Sequence, residues 1–520
     1  MNKLMRNCLL ITALAVVSNV QADGDSHNQT FLNPRSHGVN LALENVNGWQ
    51  KLIHRKGADD TFGGNFQVIG YYMASTDEDE LGEYFAPETF PAANTLRDHH
   101  FNFGTAAGNT AVANQTLNFR HFVHQYDYAG ANAEWVRVNL QPEQRAYGVH
   151  LNYHQDLDKI LKGLYFKINV PIVNVENSID PEFTAGAVAV NLTNVSTAAT
   201  ATDGLKAYFN GTFANTTPEN AQEALKYLKF GANNNEDSST GVADIDFILG
   251  YYFLYTNKYR LAVNMGVTIP TGDDADSNKL FEAIVGNGDH WAFGAGLDGG
   301  ATVWTNGDHS ISVHSALNYR YLFEGTERRT LGLKDDSGKI IPYGHYALVG
   351  QAGTGADVTL IPAANKLTVD CDVTPGSQLD MIVAFAYHYC GFTFDLGYNL
   401  FFREEEDVDR KGSAAIFGST ASIWGIVNPN ADPAGGLVAG DIQQAAGNFV
   451  LATGLQDKNI TTDNAETPDQ LTHKIYAGLS YATYDWDVPL FIGLHGHYEW
   501  ASDNSGISNW GIGGKAGVAF

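Results

Sequence analysis

The chain has 520 residues, 44% of them hydrophobic and only 17% charged, yet 58 acidic residues face 31 basic ones for a net charge of −27. That acidic balance argues against nucleic acid as a partner, because phosphate binding needs a basic face. No internal run approaches the roughly 18 apolar residues of a spanning helix, and 3 cysteines cannot build a disulfide framework or a cysteine-rich metal scaffold.

Residues 1–22 read as a secretory signal peptide. Lys3 and Arg6 form a positive start, Cys8 to Val17 an apolar core, and Val20-Gln21-Ala22 a small-x-Ala cleavage site. Loss of Lys3 and Arg6 would take the net charge from −27 to −29. Residues 23–62 form an N-terminal periplasmic or plug-like segment, and residues 63–520 the main body.

From there on, helical periodicity is nearly absent and alternation with period two dominates. Leu261, Val263, Met265, Val267 and Ile269 alternate with Arg260, Ala262, Asn264, Gly266 and Thr268. Leu490, Ile492 and Leu494 alternate with Gly493, His495 and His497. About fourteen strands of a length suited to a tilted membrane strand are predicted, within a range of about 12 to 16. Their spans are 65–75, 114–125, 132–141, 144–155, 162–175, 241–255, 258–270, 289–304, 308–323, 378–389, 391–403, 472–484, 488–500 and 508–520. Links after even-numbered strands are short; those after odd-numbered strands are mostly long, notably 176–240, 324–377 and 404–471. Long loops on one side and tight turns on the other are the asymmetry of an all-β transmembrane barrel. An even count puts both ends of the barrel on the short-turn side. Aromatic residues flank those turns, as at Tyr251–Tyr259, Tyr387–Phe392 and Tyr481–Trp486, which suits a girdle at the bilayer interface.

The last strand carries Trp510, Ile512, Gly514, Ala516, Val518 and Phe520 on one face. Together with the export signal, this resembles the C-terminal signature of bacterial outer-membrane β-barrels, which implies recognition of Phe520, Val518 and Trp510 by the barrel assembly machinery. Gly241-Val242-Ala243-Asp244 and Ile269-Pro270-Thr271-Gly272-Asp273 look like porin-type barrels found near aromatic-degradation pathways. The strand count also resembles the long-chain fatty-acid transporter barrels, in which an N-terminal hatch plugs the lumen; Phe31 to Leu52 would be that segment here.

The face opposite the apolar one carries Arg120, Arg137, Lys167, Arg260, Arg320, Arg403, Lys474 and Lys515 with Asp244, Asp246, Asp298, Asp380, Asp395 and Glu499. Facing charges of both signs suit a water-filled pore with a transverse field; interior ion pairs within a plugged barrel are the other reading. His495-x-His497-x-Glu499 places two imidazoles and a carboxylate on one strand face and reads as polar lumen lining. Gly294-Ala295-Gly296-Leu297-Asp298-Gly299 fits a dinucleotide motif but lies inside an alternating strand, so small lumen-facing residues explain it. Acidic runs at Asp77–Glu80, Asp273-Asp274-Ala275-Asp276 and Glu404–Asp407 fall in predicted loops, where divalent cations could bind. Cys371 and Cys390 are expected at opposite ends of one strand, beyond disulfide reach.

The expected protein is an outer-membrane porin-like channel for passive diffusion of small hydrophilic solutes, with no catalysis and no cofactor. A hatch-gated transporter of hydrophobic compounds and a surface adhesin or structural barrel are the alternatives. Expected partners are outer-membrane lipid and lipopolysaccharide, the assembly machinery, small solutes and divalent cations. The net negative charge should sit chiefly in the extracellular loops.

Overall fold

A computed structural model describes residues 25–38, 40–47, 50–54, 62–87, 100–104, 116–118, 122, 135–185, 201–214, 221–231, 236–351, 359–417, 424–427, 442–443, 445–446, 449–450, 454–484 and 486–520. The signal-peptide span and Arg120 lie outside these residues.

Twelve antiparallel strands close into one barrel. They are β1 (Gly64–Ser75), β2 (Glu143–Asp156), β3 (Leu164–Ser178) and β4 (Ile245–Tyr255); β5 (Tyr259–Ile269), β6 (Ala292–Asn306), β7 (His309–Leu322) and β8 (Gly376–Tyr389); and β9 (Phe392–Arg403), β10 (Gln470–Ala482), β11 (Leu490–Ala501) and β12 (Asn509–Ala519). Each strand pairs with its neighbours in sequence, and β1 pairs with β12 from Asn65↔Ala519 to Ser75↔Asn509. At the seam Gly64 N–H donates to the Phe520 carbonyl at 2.9 Å and Phe520 N–H to the Gly64 carbonyl at 3.0 Å. Closure leaves no unpaired edge, the condition for a sheet to sit in hydrocarbon. A further strand, Asp237–Val242, pairs with the upper half of β3 while β4 pairs with its lower half.

The described parts of the predicted strands 114–125 and 132–141 are not in the wall. Thr116–Asn118 and Trp135–Asn139 belong to a four-stranded side sheet with His100–Gly104 and Glu182–Ala185. Alternation reports that one face is buried, not against what. Val136, Val138 and Leu140 are buried against a loop core that includes Phe122, Leu205 and Phe209.

The outward rows are apolar. Leu494 is 72% exposed and Ile492 64%, values that suit lipid contact rather than water. Aromatics border this band at both rims. Tyr251, Tyr259, Tyr389, Phe392 and Trp486 stand near the short turns, and Tyr319, Tyr321, Tyr498 and Trp510 near the long loops. A closed, even-stranded antiparallel barrel with an apolar belt and two aromatic girdles is a bacterial outer-membrane barrel.

The long loops fold into a cap with two hydrophobic cores of its own. One gathers Leu81, Tyr84, Phe85, Tyr208, Phe209, Phe281 and Tyr346; the other gathers Leu333, Val349, Leu367, Val373, Val408 and Ile426. Residues 76–142, 179–244, 270–291, 323–375, 404–469 and 502–508 hold 41 of the 58 acidic residues but 15 of the 31 basic ones. The negative charge is thus an attribute of the outer face. Cys371 is buried in the cap and Cys390 is exposed in the β8–β9 turn, both free thiols.

Candidate lumenal site

Each wall strand gives one row of side chains to lipid and the other to the lumen. The inward rows pair their charges locally. Arg260 contacts Asp298 at 2.6 Å and Arg320 contacts Asp246 at 2.9 Å. Between the neighbouring strands β10 and β11, Lys474 contacts its register partner Glu499 at 2.8 Å, and Thr472 donates to the same carboxylate at 2.7 Å. Removing one partner of such a buried pair costs about 3–5 kcal/mol, because a bare charge is left behind.

The segment 25–54 runs through the lumen between these rows. At its upper end Asn28 N–H donates to the Ala86 carbonyl and Thr30 N–H to the Asn464 carbonyl, each at 2.7 Å. Arg35 reaches Asp380 at 3.0 Å and Glu499 at 2.9 Å, and donates to Asn399 at 3.0 Å; its guanidinium lies 4.5 Å from the centre of the Phe401 ring. Asn40 caps a short helix, α1 (Leu41–Asn45), by accepting from Leu43 N–H at 3.1 Å. Leu41, Ala42 and Val46 pack on Ala316, Ile382, Ala384 and Tyr476 of the wall. Lys515 Nζ donates to the Glu44 and Val46 carbonyls, both at 2.9 Å. Lower down, Leu52 and Ile53 pack on Ala482, Phe491 and Ala519, and Tyr255 donates to the His54 carbonyl at 2.7 Å. Backbone hydrogen bonds fasten the upper end to the loops, whereas the ties to the barrel wall named here all involve a side chain. No strand of the wall is paired with this segment among the described residues.

The joint between segment, barrel rim and cap is a buried ionic cluster. Arg329, fully buried, contacts Glu327 at 2.5 Å and Glu406 at 3.2 Å, with its guanidinium 3.3 Å from the Phe31 ring centre. Asn33 donates to Glu406 at 2.7 Å, and Glu327 contacts His290 at 2.7 Å. Burial alone would raise the Glu406 carboxyl, but Arg329 and Arg403 hold it down at about 2. Burial would likewise lower His290, and the Glu327 carboxylate instead raises it above its ordinary value.

The segment fills the lumen unevenly. Beside Arg35, Lys474 and Glu499 the remaining space is about 40 Å³, room for a few waters. At the short-turn end, a cavity of about 650 Å³ opens between β5, β6, β7 and β8, reached by Arg260, Thr302, Ser312, His314 and His388.

The residues expected to line a pore fall as follows. Lys167, Asp246, Arg260, Asp298, Arg320, Asp395, Arg403, His495, His497, Glu499 and Lys515 all belong to wall strands, and ten of the eleven are buried or paired in the interior, Lys167 lying next to the Asn169 row that meets Glu44. Asp244 is buried in the link between Asp237–Val242 and β4. Arg137 is corrected: it stands on Trp135–Asn139 in the side sheet, outside the wall. The His495-x-His497-x-Glu499 set does not converge. Glu499 goes to Lys474 and Arg35, and His497 to Asn509. Asp273 accepts from Ser239 and from Val285 N–H, and Asp276 accepts from Asn278 N–H. Among the described residues no group of three or more His, Cys, Asp or Glu side chains could hold a metal ion. Trp510, Val518 and Phe520 occupy the lipid-facing row of β12 and its end.

Arg35, His54 and Asn47, whose amide donates to the Leu494 carbonyl at 3.2 Å, were not anticipated as contacts. The available signal was faint: Arg35 is the one charged residue between Asp25 and Glu44.

The chain matches no family model and no curated protein sequence. It is similar to a solved outer-membrane channel of Pseudomonas putida F1 at 8% identity, covering 90% of this chain and 98% of that one, TM-score 0.36. It is also similar to a Pseudomonas aeruginosa FadL homologue (8% identity, 96% and 99% covered, TM-score 0.27) and to the Pseudomonas putida toluene transporter TodX (9% identity, 96% and 98% covered, TM-score 0.28).

Proposed function

We propose that the protein is a gated outer-membrane channel. Small hydrophilic solutes would cross the polar lumen when the segment 25–54 shifts away from the wall. The observation that carries this reading is the segment itself, lodged in a polar lumen and held to the barrel wall by side-chain contacts that can be broken one at a time. Unregulated passive diffusion is less well supported, since the space left beside Glu499 is about 40 Å³. Hydrophobic cargo is disfavoured by inward rows rich in paired charges, such as Arg260 with Asp298 and Arg320 with Asp246. Lipopolysaccharide and divalent cations would meet the acidic cap, and the assembly machinery the Phe520 end. Catalysis forms no part of the proposal.

Planar-bilayer recording tests it. The full chain should be mostly closed with rare openings, and deletion of residues 26–54 should give sustained conductance. A deletion variant that still migrates as a folded barrel yet conducts no more than the full chain would sink the gate.

A further inference from the structure

The cavity at the short-turn end carries a feature that the wall's ion pairing does not explain. We propose that it is a binding compartment for a small, uncharged, polyhydroxylated molecule. This names the solute class of the proposed channel and so rests on that reading for its biological use.

Three observations support the assignment. The first is an unmet hydrogen-bonding demand. His314 lines the cavity at 5% exposure, and neither ring nitrogen has a hydrogen-bond partner among the described residues. Buried polar atoms in folded proteins are nearly always satisfied, so a persistent exception calls for something to bind it. A neutral imidazole offers one donor and one acceptor, and a hydroxyl group can answer either.

The second is charge balance. Arg260 is neutralised by Asp298 at 2.6 Å, and the rim carries one residue of each sign, Lys258 and Asp308. No net charge is left over to select an ion. What remains is a set of neutral hydrogen-bonding groups, including the Thr302 and Ser312 hydroxyls, 3.5 Å apart. At about 650 Å³ the cavity falls within the range of roughly 300–1,000 Å³ typical of small-molecule sites.

The third is clearance. Gly300 belongs to the glycine-rich run of β6 that otherwise resembles a dinucleotide motif. A Cβ there would lie 3.0 Å from His314 Nδ1 and 3.7 Å from Arg260 Cζ. Glycine keeps the space between the two polar groups open.

A native reporter makes the test direct. Cys390 is exposed on the cavity rim, whereas Cys371 is buried. A Cys8→Ser chain, purified in detergent, is labelled at Cys390 with a maleimide dye while sucrose or sodium benzoate is titrated. Sucrose should slow labelling saturably, and benzoate at equal concentration should not. His314→Phe and Gly300→Val should raise the half-protecting sucrose concentration at least tenfold while keeping heat-modifiable migration. The proposal is overturned if sucrose gives no saturable protection, if benzoate protects equally, or if both folded variants protect like the parent. Should a variant fail to fold, the sucrose–benzoate contrast in the parent still decides. Protection by sucrose with no conductance from the 26–54 deletion would leave this site standing and remove the channel.

Discussion

Arg35→Met isolates the strongest single tie between the lumenal segment and the wall. Arg35 is 12% exposed at its side chain and is held by Asp380 and Glu499, by Asn399, and against the Phe401 ring. Methionine keeps much of the volume and removes the charge. Glu499 would remain satisfied by Lys474 at 2.8 Å and by Thr472 at 2.7 Å. Asp380 would keep Asn399 and a 3.3 Å hydrogen bond from Leu41 N–H, but no cation among the described contacts. The loss therefore belongs at the lower end of the range for breaking a buried pair, about 3 kcal/mol. At about 1.4 kcal/mol per decade, the open-to-closed ratio should rise by roughly 100-fold. Single-channel open probability reads this directly, with heat-modifiable migration as the check that the barrel is intact. An open probability within threefold of the parent would refute the view that Arg35 fastens the segment.

Three further outcomes are expected. Arg329→Met removes the cation shared by Glu327 and Glu406 and leaves them His290 and Asn33; it should destabilise the cap by about 3 kcal/mol, the lower end for breaking a buried pair, seen as faster limited proteolysis of residues 331–369 with barrel migration unchanged. Burial, together with hydrogen bonding to Asp276, pushes Glu282 up to about 9 from an ordinary 4.5. The folded loop then retains a proton that the unfolded chain releases, so this contribution is full below about pH 4.5 and is lost as pH rises toward 9. Hydrogen exchange of residues 273–285, corrected for intrinsic rate, should accelerate across that window, and Glu282→Gln should flatten the trend. Phe520→Ala removes the ring that lies against Gly64 at the seam; less folded protein should reach the outer membrane, and equal amounts would argue against a role for this residue in assembly.

Composition and periodicity were sufficient for the class of fold and for the direction of most side chains. Rows such as Leu261 to Ile269 or Trp510 to Phe520 state which face is apolar, because strand side chains alternate without exception in an unbroken ladder. Turn lengths stated which end carries loops, and the one-sided charge followed those loops outward. Tertiary structure alone decided three things. It decided that alternation at Val136 and Val138 serves a loop core and not the membrane, since period two is the same signal in both settings. It decided that inward charges are spent on pairs such as Lys474 with Glu499, because pairing depends on the register between strands. And it decided between the periplasmic and the plug-like reading of the N-terminal segment, whose described residues between 25 and 54 lie in the lumen. That arrangement joins Arg35 to Asp380 and Glu499, hundreds of positions away in sequence, through contacts that no local pattern encodes.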